Sequence, residues 1–209
     1  PSGMAEGERL EGERLWSLVP GNDPDADRIN LVYAGWNWDD FDRFLTFAKG
    51  TLSWDGHAYL TTNGFPTEAG KEAHGATLGL FAIEPWRSHR DWFNVWYTDL
   101  EPDQPQAWFL NDDHPFGIDD VVAITLAIDP DSLDPNFENS YAKTGVFDRP
   151  DALSRPAEGD PYVDRSGYEK DNPFGHVVMN LSEQLPAIGM QWVAHELGHA
   201  MFNLADEYV

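Results

Sequence analysis

The spacing of hydrophobic positions along the chain changes period several times, and each change marks an element. Arg28-Ile29-Asn30-Leu31-Val32-Tyr33-Ala34-Gly35 reads as a β-strand ending at glycine. Trp38, Phe41, Phe44, Leu45 and Ala48 then recur at helical spacing, which predicts an amphipathic helix with its apolar side on a sheet. Asn37 suits the N-cap of that helix. Asp39 and Asp40 suit its first turn, where the helix dipole favours anions, and Gly50 suits its end. Residues 51–80, rich in Gly, Thr and polar side chains, read as a long excursion. Phe93 to Leu100 predicts a second strand. Val121 to Ile128 predicts a third, apolar almost throughout and therefore central.

Residues 129–173 are dense in Pro, Asp, Asn and Gly and show no period. A loop of that length in a compact domain is usually functional or pinned by a metal. His176 to Leu181 predicts a fourth strand, placed beside the functional cleft with an edge able to pair with an extended peptide. Pro186 opens a helix reaching about Asn203, with Ser182 as an alternative cap. Strands alternating with helices predict an α/β (α+β) domain: a mixed twisted sheet, a backing helix and a C-terminal helix. That domain spans residues 23–209. Residues 1–22 read as an N-terminal arm, a leftover pro-segment in one reading, and contain a direct repeat, Glu6-Gly7-Glu8-Arg9-Leu10 and Glu11-Gly12-Glu13-Arg14-Leu15. Two five-residue copies are too short for a solenoid unit.

Composition narrows the chemistry. An apolar share of 41% with nine Trp excludes a disordered chain, and 209 residues make one large domain. No run approaches the roughly 20 apolar residues of a membrane span. With no cysteine, a disulfide framework and a cysteine nucleophile are excluded, so any metal must be held by His and carboxylates. Asp and Glu number 37 against 13 Lys and Arg, a net charge of −24. Such a surface repels phosphate backbones and anionic lipids, which argues against nucleic-acid and membrane-surface partners. Solubility in salt, capture of cations or attraction of basic partners remain.

The C-terminal helix carries His195-Glu196-Leu197-Gly198-His199. Two histidines one helical turn apart share a face, so both imidazoles can reach one ion. Zinc is the expected ion, because it accepts imidazole and carboxylate in an open tetrahedral site. Glu196, beside His195, is placed to take a proton from a metal-activated water and return it to a leaving amine. The bland alternative is an amphipathic helix whose histidines merely hydrogen-bond in the core. Trp192, Val193, Leu197, Ala200 and Leu204 supply an apolar face beside the His stripe, in favour of the metal reading. A third ligand is needed, and the following Leu204-Ala205-Asp206-Glu207-Tyr208 offers a carboxylate.

His-Glu-Leu-Gly-His-Ala-Met-Phe-Asn-Leu-Ala-Asp-Glu-Tyr at 195–208 resembles the zinc motif of the immunoglobulin A peptidase family of metalloendopeptidases. Asp27-Arg28-Ile29-Asn30-Leu31-Val32 resembles that family's opening strand, and Glu84-Pro85-Trp86 with Phe93-Asn94-Val95-Trp96 its second block. The resemblance is strong over the C-terminal helix and thin elsewhere. It implies a zincin-like fold and a secreted zinc metalloendopeptidase acting on extracellular proteins, with its signal peptide already removed. It does not imply immunoglobulin as the substrate. By similarity to immune-inhibitor-A-like peptidases, where a like Asp-Glu-Tyr follows a shorter turn, Glu207 is the third ligand and Asp206 the alternative. Tyr208 either packs under the turn or donates to the metal shell. The sequence departs from the family at Phe202-Asn203, where Gly is usual; Asn also adopts the left-handed conformation. The chain ends ten residues after His199, whereas related zincins continue into a lower subdomain. A domain incomplete at its C-terminus is therefore expected, and a zinc-bearing but non-catalytic binding or assembly module is the rival function.

Weaker signals stand beside this one. Asp129, Asp131, Asp134, Asn136 and Glu138 alternate as calcium loops do, but two prolines and no EF-hand glycine favour solvated turns over Ca2+. His57, His74, His89, His114 and His176 are scattered without ligand spacing. Exposed tryptophans among Trp36, Trp38, Trp54 and Trp86 would point to glycan or protein binding, with core packing the default.

The charge has a direct consequence for stability. Self-repulsion opposes compaction at low ionic strength and is screened within a Debye length of about 10 Å at 0.1 M. The melting temperature should rise between about 10 and 500 mM sodium chloride. A further rise in calcium chloride at matched ionic strength, reversed by chelator, would mark bound calcium. A melting temperature indifferent to salt would mean the charge is spread too thinly to matter.

Overall fold

The computed structural model describes residues 3–65, 79–104, 107–108, 114–129, 141–143, 175–182 and 186–202. Its elements are β1 (Trp16–Ser17), β2 (Ile29–Trp36), α1 (Phe41–Leu52), α2 (Gly56–Thr62), β3 (Phe93–Tyr97), β4 (Val121–Asp129), β5 (Tyr141–Lys143), β6 (Gly175–Ser182) and α3 (Pro186–Phe202). Single 3-10 turns occupy Leu80–Ala82 and Arg90–Trp92. The six strands form one mixed sheet in the order β1-β3-β2-β4-β6-β5. The four inner strands are mutually parallel, and the two outer strands run antiparallel to their neighbours. The expected α/β architecture on a mixed sheet is therefore present. Among the described residues no helix is long and apolar enough to cross a membrane.

Period-2 alternation divides the core. Leu31, Tyr33, Val95, Ile124, Leu126, Val177 and Met179 face the helices. Val32, Trp96, Val121 and Ala123 face the other way, under Leu15 and Phe116. β4 lies between β2 and β6, as its uniform apolarity predicts. The strand at 93–100 stops at Tyr97, because Thr98 turns its hydroxyl to the Arg14 carbonyl at 2.8 Å and accepts from the Leu100 amide at 3.1 Å.

Three local expectations are corrected. Asp40, not Asn37, caps α1, its carboxylate accepting from the Asp42 and Arg43 amides at 2.9 and 3.3 Å. Asn37 sits at φ 60 and ties the turn instead: its amide donates to Glu101 Oε1 at 2.8 Å and its Nδ2 to the Ile128 carbonyl at 3.0 Å. Gly50 does not end the helix, which runs on to Leu52 because Thr51 and Leu52 are buried with Phe44, Phe47 and Ala48. Gly35 has a packing reason, since a Cβ there would lie 3.1 Å from the rings of both Phe44 and Trp38. Lastly, β6 is not an edge: β4 pairs along it, and β5 pairs with His176–Val178 on the other side. Over His176–Val178 that pairing takes the edge expected to receive a substrate strand. The excursion after α1 also contains α2, capped by Asp55.

The N-terminal arm is packed on the sheet. Its direct repeat becomes two tight turns: the Glu8 amide bonds the Ala5 carbonyl and the Glu13 amide the Leu10 carbonyl, with Gly7 and Gly12 at φ 77 and 82 in the third position. A positive φ there is what a type II turn requires, which explains a glycine in each copy. Glu6 pairs with Lys49 at 2.6 Å and Arg14 with Asp99 at 2.7 Å. The Arg14 hydrogen bond holds the Asp99 carboxyl below its ordinary range, so this tie persists above the unfolded carboxyl value and is lost as pH falls through the lowered one.

Asn22 acts as a stand-in for strand backbone. Its side-chain amide donates to the Val95 carbonyl at 2.7 Å and accepts from the Val95 amide at 2.9 Å, both buried on the β3 edge. Asn22→Ala should cost about 1–3 kcal/mol by orphaning the buried Val95 amide, while the Val95 carbonyl keeps the Leu18 amide at 2.9 Å. The loss is seen as a lower urea midpoint with an unchanged slope. A midpoint within error of the parent would show that the edge is satisfied otherwise.

Candidate metal centre

α3 begins at Pro186, where a missing amide hydrogen costs nothing in the first turn. Val193, Leu197, Ala200 and Met201 are all buried in the core on the sheet's helical side. They recur at i, i+4, i+7 and i+8, one stripe of the helix. At 100° per residue, His195 and His199 lie on roughly the opposite side, with Glu196 about 60° round from His199 toward the buried stripe. Exposure follows that geometry. His195 is exposed, His199 half-buried, and Glu196 only 6% exposed.

The two imidazoles converge. Their Nε2 atoms lie 3.0 Å apart, with ring centroids at 4.6 Å and planes inclined by 85°. Without a metal, one ring donates its Nε2–H to the other. Two nitrogens bonded to one tetrahedral zinc at about 2.05 Å would stand about 3.3 Å apart, so the pair needs only a few tenths of an ångström to admit the ion. The donor set also suits zinc, since imidazole nitrogen is among its preferred ligands. The residues present fit the group.

Among the described residues no third His, Asp or Glu completes a three-ligand cluster. Glu207, Asp206 and Tyr208 lie outside the described residues, as do residues 131–138 of the acidic string. The remaining histidines are placed elsewhere. His176 is buried on the face opposite α3 and bonds Thr125 Oγ1 at 3.0 Å. His89 stacks on Trp92 at 3.9 Å, and His114 Nδ1 accepts from the Phe116 amide at 3.3 Å. The side chain of His57 and the whole of His74 fall outside the description. Of the four tryptophans singled out, Trp54 alone is exposed, at 62%; Trp86 is buried at 4%.

Sequence reasoning missed what surrounds the helix. α3 lies against β6, β5, α1, α2 and the Leu80–Ala82 turn. A cap signal at Asp55 could have found α2, but Gly56 in the first helical position masks it. Nothing in a three-residue strand such as β5 stands out from a polar segment.

Comparison with family models, with curated protein sequences and with solved structures returns no match.

The pair makes a clear prediction. The protein should bind about one zinc, and saturating zinc at 100 times Kd should stabilise it by about 2.7 kcal/mol. His195→Ala or His199→Ala should abolish both effects, read by metal analysis after dialysis and by thermal melts. Stoichiometric zinc in the double variant would place the metal elsewhere.

Proposed function

We propose that this chain is a zincin-like zinc metallopeptidase domain, similar to the immunoglobulin A peptidase family, which hydrolyses peptide bonds of extracellular proteins. The observation that carries the reading is the convergence of His195 and His199 Nε2 at 3.0 Å on an accessible stripe, with Glu196 beside them. His195 and His199 hold the ion. By the motif's resemblance Glu207 completes the set, with Asp206 as the alternative. The ion, when bound, acts as a Lewis acid that makes water nucleophilic near neutral pH and polarises the scissile carbonyl.

The protein's own groups do the rest. Glu196 is mostly buried, which restricts its rotamers, and its place next to His195 in sequence lets its carboxylate reach the edge of the site. Its carboxylate accepts a proton as water attacks the carbonyl and delivers that proton to the departing amine, so one group serves as base and then as acid. His195 is exposed, so its imidazole is within reach of solvent and of a bound peptide.

Glu196→Gln tests the assignment, since it keeps the shape and removes the base. The variant should retain stoichiometric zinc and lose about 10²–10⁴ in kcat on a peptide library. Full turnover in Glu196→Gln would overturn the mechanism. Zinc binding with no cleavage of any peptide by the parent would favour the non-catalytic module.

A further inference from the structure

We infer that the peptides this site takes are cationic segments, rich in lysine and arginine, drawn in by the charge of the whole molecule. The inference rests on the peptidase reading and concerns its choice of substrate. Two observations carry it. The first is the balance of 37 acidic against 13 basic side chains in 209 residues. The second is where the described cations are spent. Arg14, Lys49 and Arg87 are held in ion pairs with Asp99, Glu6 and Glu84 at 2.6–2.7 Å. Arg9, Arg43 and Arg90 lie over the rings of Trp16, Phe65 and Phe81 at 5.3, 5.0 and 4.5 Å. Arg28 donates to the Gly21 carbonyl at 3.0 Å.

A guanidinium fixed over a ring or against its own carboxylate is poorly placed to reach out for an anionic ligand. Asp99, Glu6 and Glu84 are spent in those pairs, but five other acids are placed otherwise. Glu11, Asp39, Asp42, Asp91 and Asp103 are exposed, and none of them caps a helix or holds a side-chain hydrogen bond in the described structure. The long-range field is therefore negative with little local relief. Such a field raises the encounter rate of positive ligands by about 10–10³ at low ionic strength and lowers that of negative ones. The attraction acts on approach, so it enters kcat/KM and leaves kcat alone.

The test uses the zinc-loaded full chain and three peptides with one common core, flanked by lysines, by glutamates or by serines. At about 20 mM salt the lysine-flanked peptide should exceed the glutamate-flanked one at least tenfold in kcat/KM, converging near 0.5 M. A charge-reversed variant, with Glu11, Asp39, Asp42, Asp91 and Asp103 each replaced by Lys, moves the net charge from −24 to −14. Because the energy scales with charge, a tenfold preference should fall to about fourfold, with kcat for the serine-flanked peptide unchanged.

Equal rates at low salt, or a preference untouched by charge reversal, would overturn the inference; the latter would place selectivity in a pocket. The same peptides, fluorescently labelled, are titrated against zinc-loaded Glu196→Gln by anisotropy. Should no peptide be cleaved by the parent, the peptidase reading fails, and the binding arm still decides: salt-sensitive preference for lysine flanks upholds cationic recognition, and indifference to flank charge sinks it.

Discussion

Burial of a single stripe of α3 against the sheet sets the direction of every other side chain on that helix. Val193, Leu197, Ala200 and Met201 lie at 0–2% exposure among residues of β6, β4 and α1. Each large member contributes about 1.5–3 kcal/mol by leaving water. Turning the helix by one residue would expose part of that stripe and drive an imidazole toward the core, where an unbonded polar group costs further. The rotational setting is therefore held by several kcal/mol, and His195 and His199 inherit their outward position from it. An ion-binding pair needs that kind of support, because its geometry must be ready before the ligand arrives.

The sheet solves a second problem that bears on the site. Open strand edges invite pairing with other chains. On one side the N-terminal arm lies over β3, with two residues of true strand and an asparagine amide standing in for backbone at Val95. On the other side β5 covers β6 over three residues. The helical layer and the candidate centre lie on one face with Leu18 of the arm, while Leu15 of the arm, Phe116 and the buried His176 lie on the other.

The core contains few ionisable groups, and the described cations secure the arm, the turns and the aromatic surfaces. Arg90, part-buried over Phe81, has its pKa lowered chiefly by desolvation. Tyr33, wholly buried against Thr51, is pushed upward in pKa for the same reason. Glu196 apart, the acids with a described side chain lie at or near the surface, where water solvates them and where their field extends outward.

Much of this was legible along the chain. Each long strand announces itself by β-branched and aromatic residues in β2, β3, β4 and β6, because side chains on a pleated, half-buried surface carry a local period. The helical spacing of Phe44, Ala48, Val193 and Leu197 was equally local, and so was the placement of two histidines one turn apart. Tertiary structure decided the rest. Asn37 lost the cap to Asp40 because Glu101 and the Ile128 carbonyl, distant in sequence, drew it into a left-handed turn. α1 passed Gly50 because its last turn is buried. The arm joined the sheet because β3 offered an unpaired edge, and β6 ceased to be an edge because a three-residue strand covered it. Local sequence determines which element forms and which stripe is apolar, since those depend on neighbours within a turn or a pleat. What each edge, cap and histidine faces is settled by contacts made after the chain has folded back on itself, and no local period encodes them.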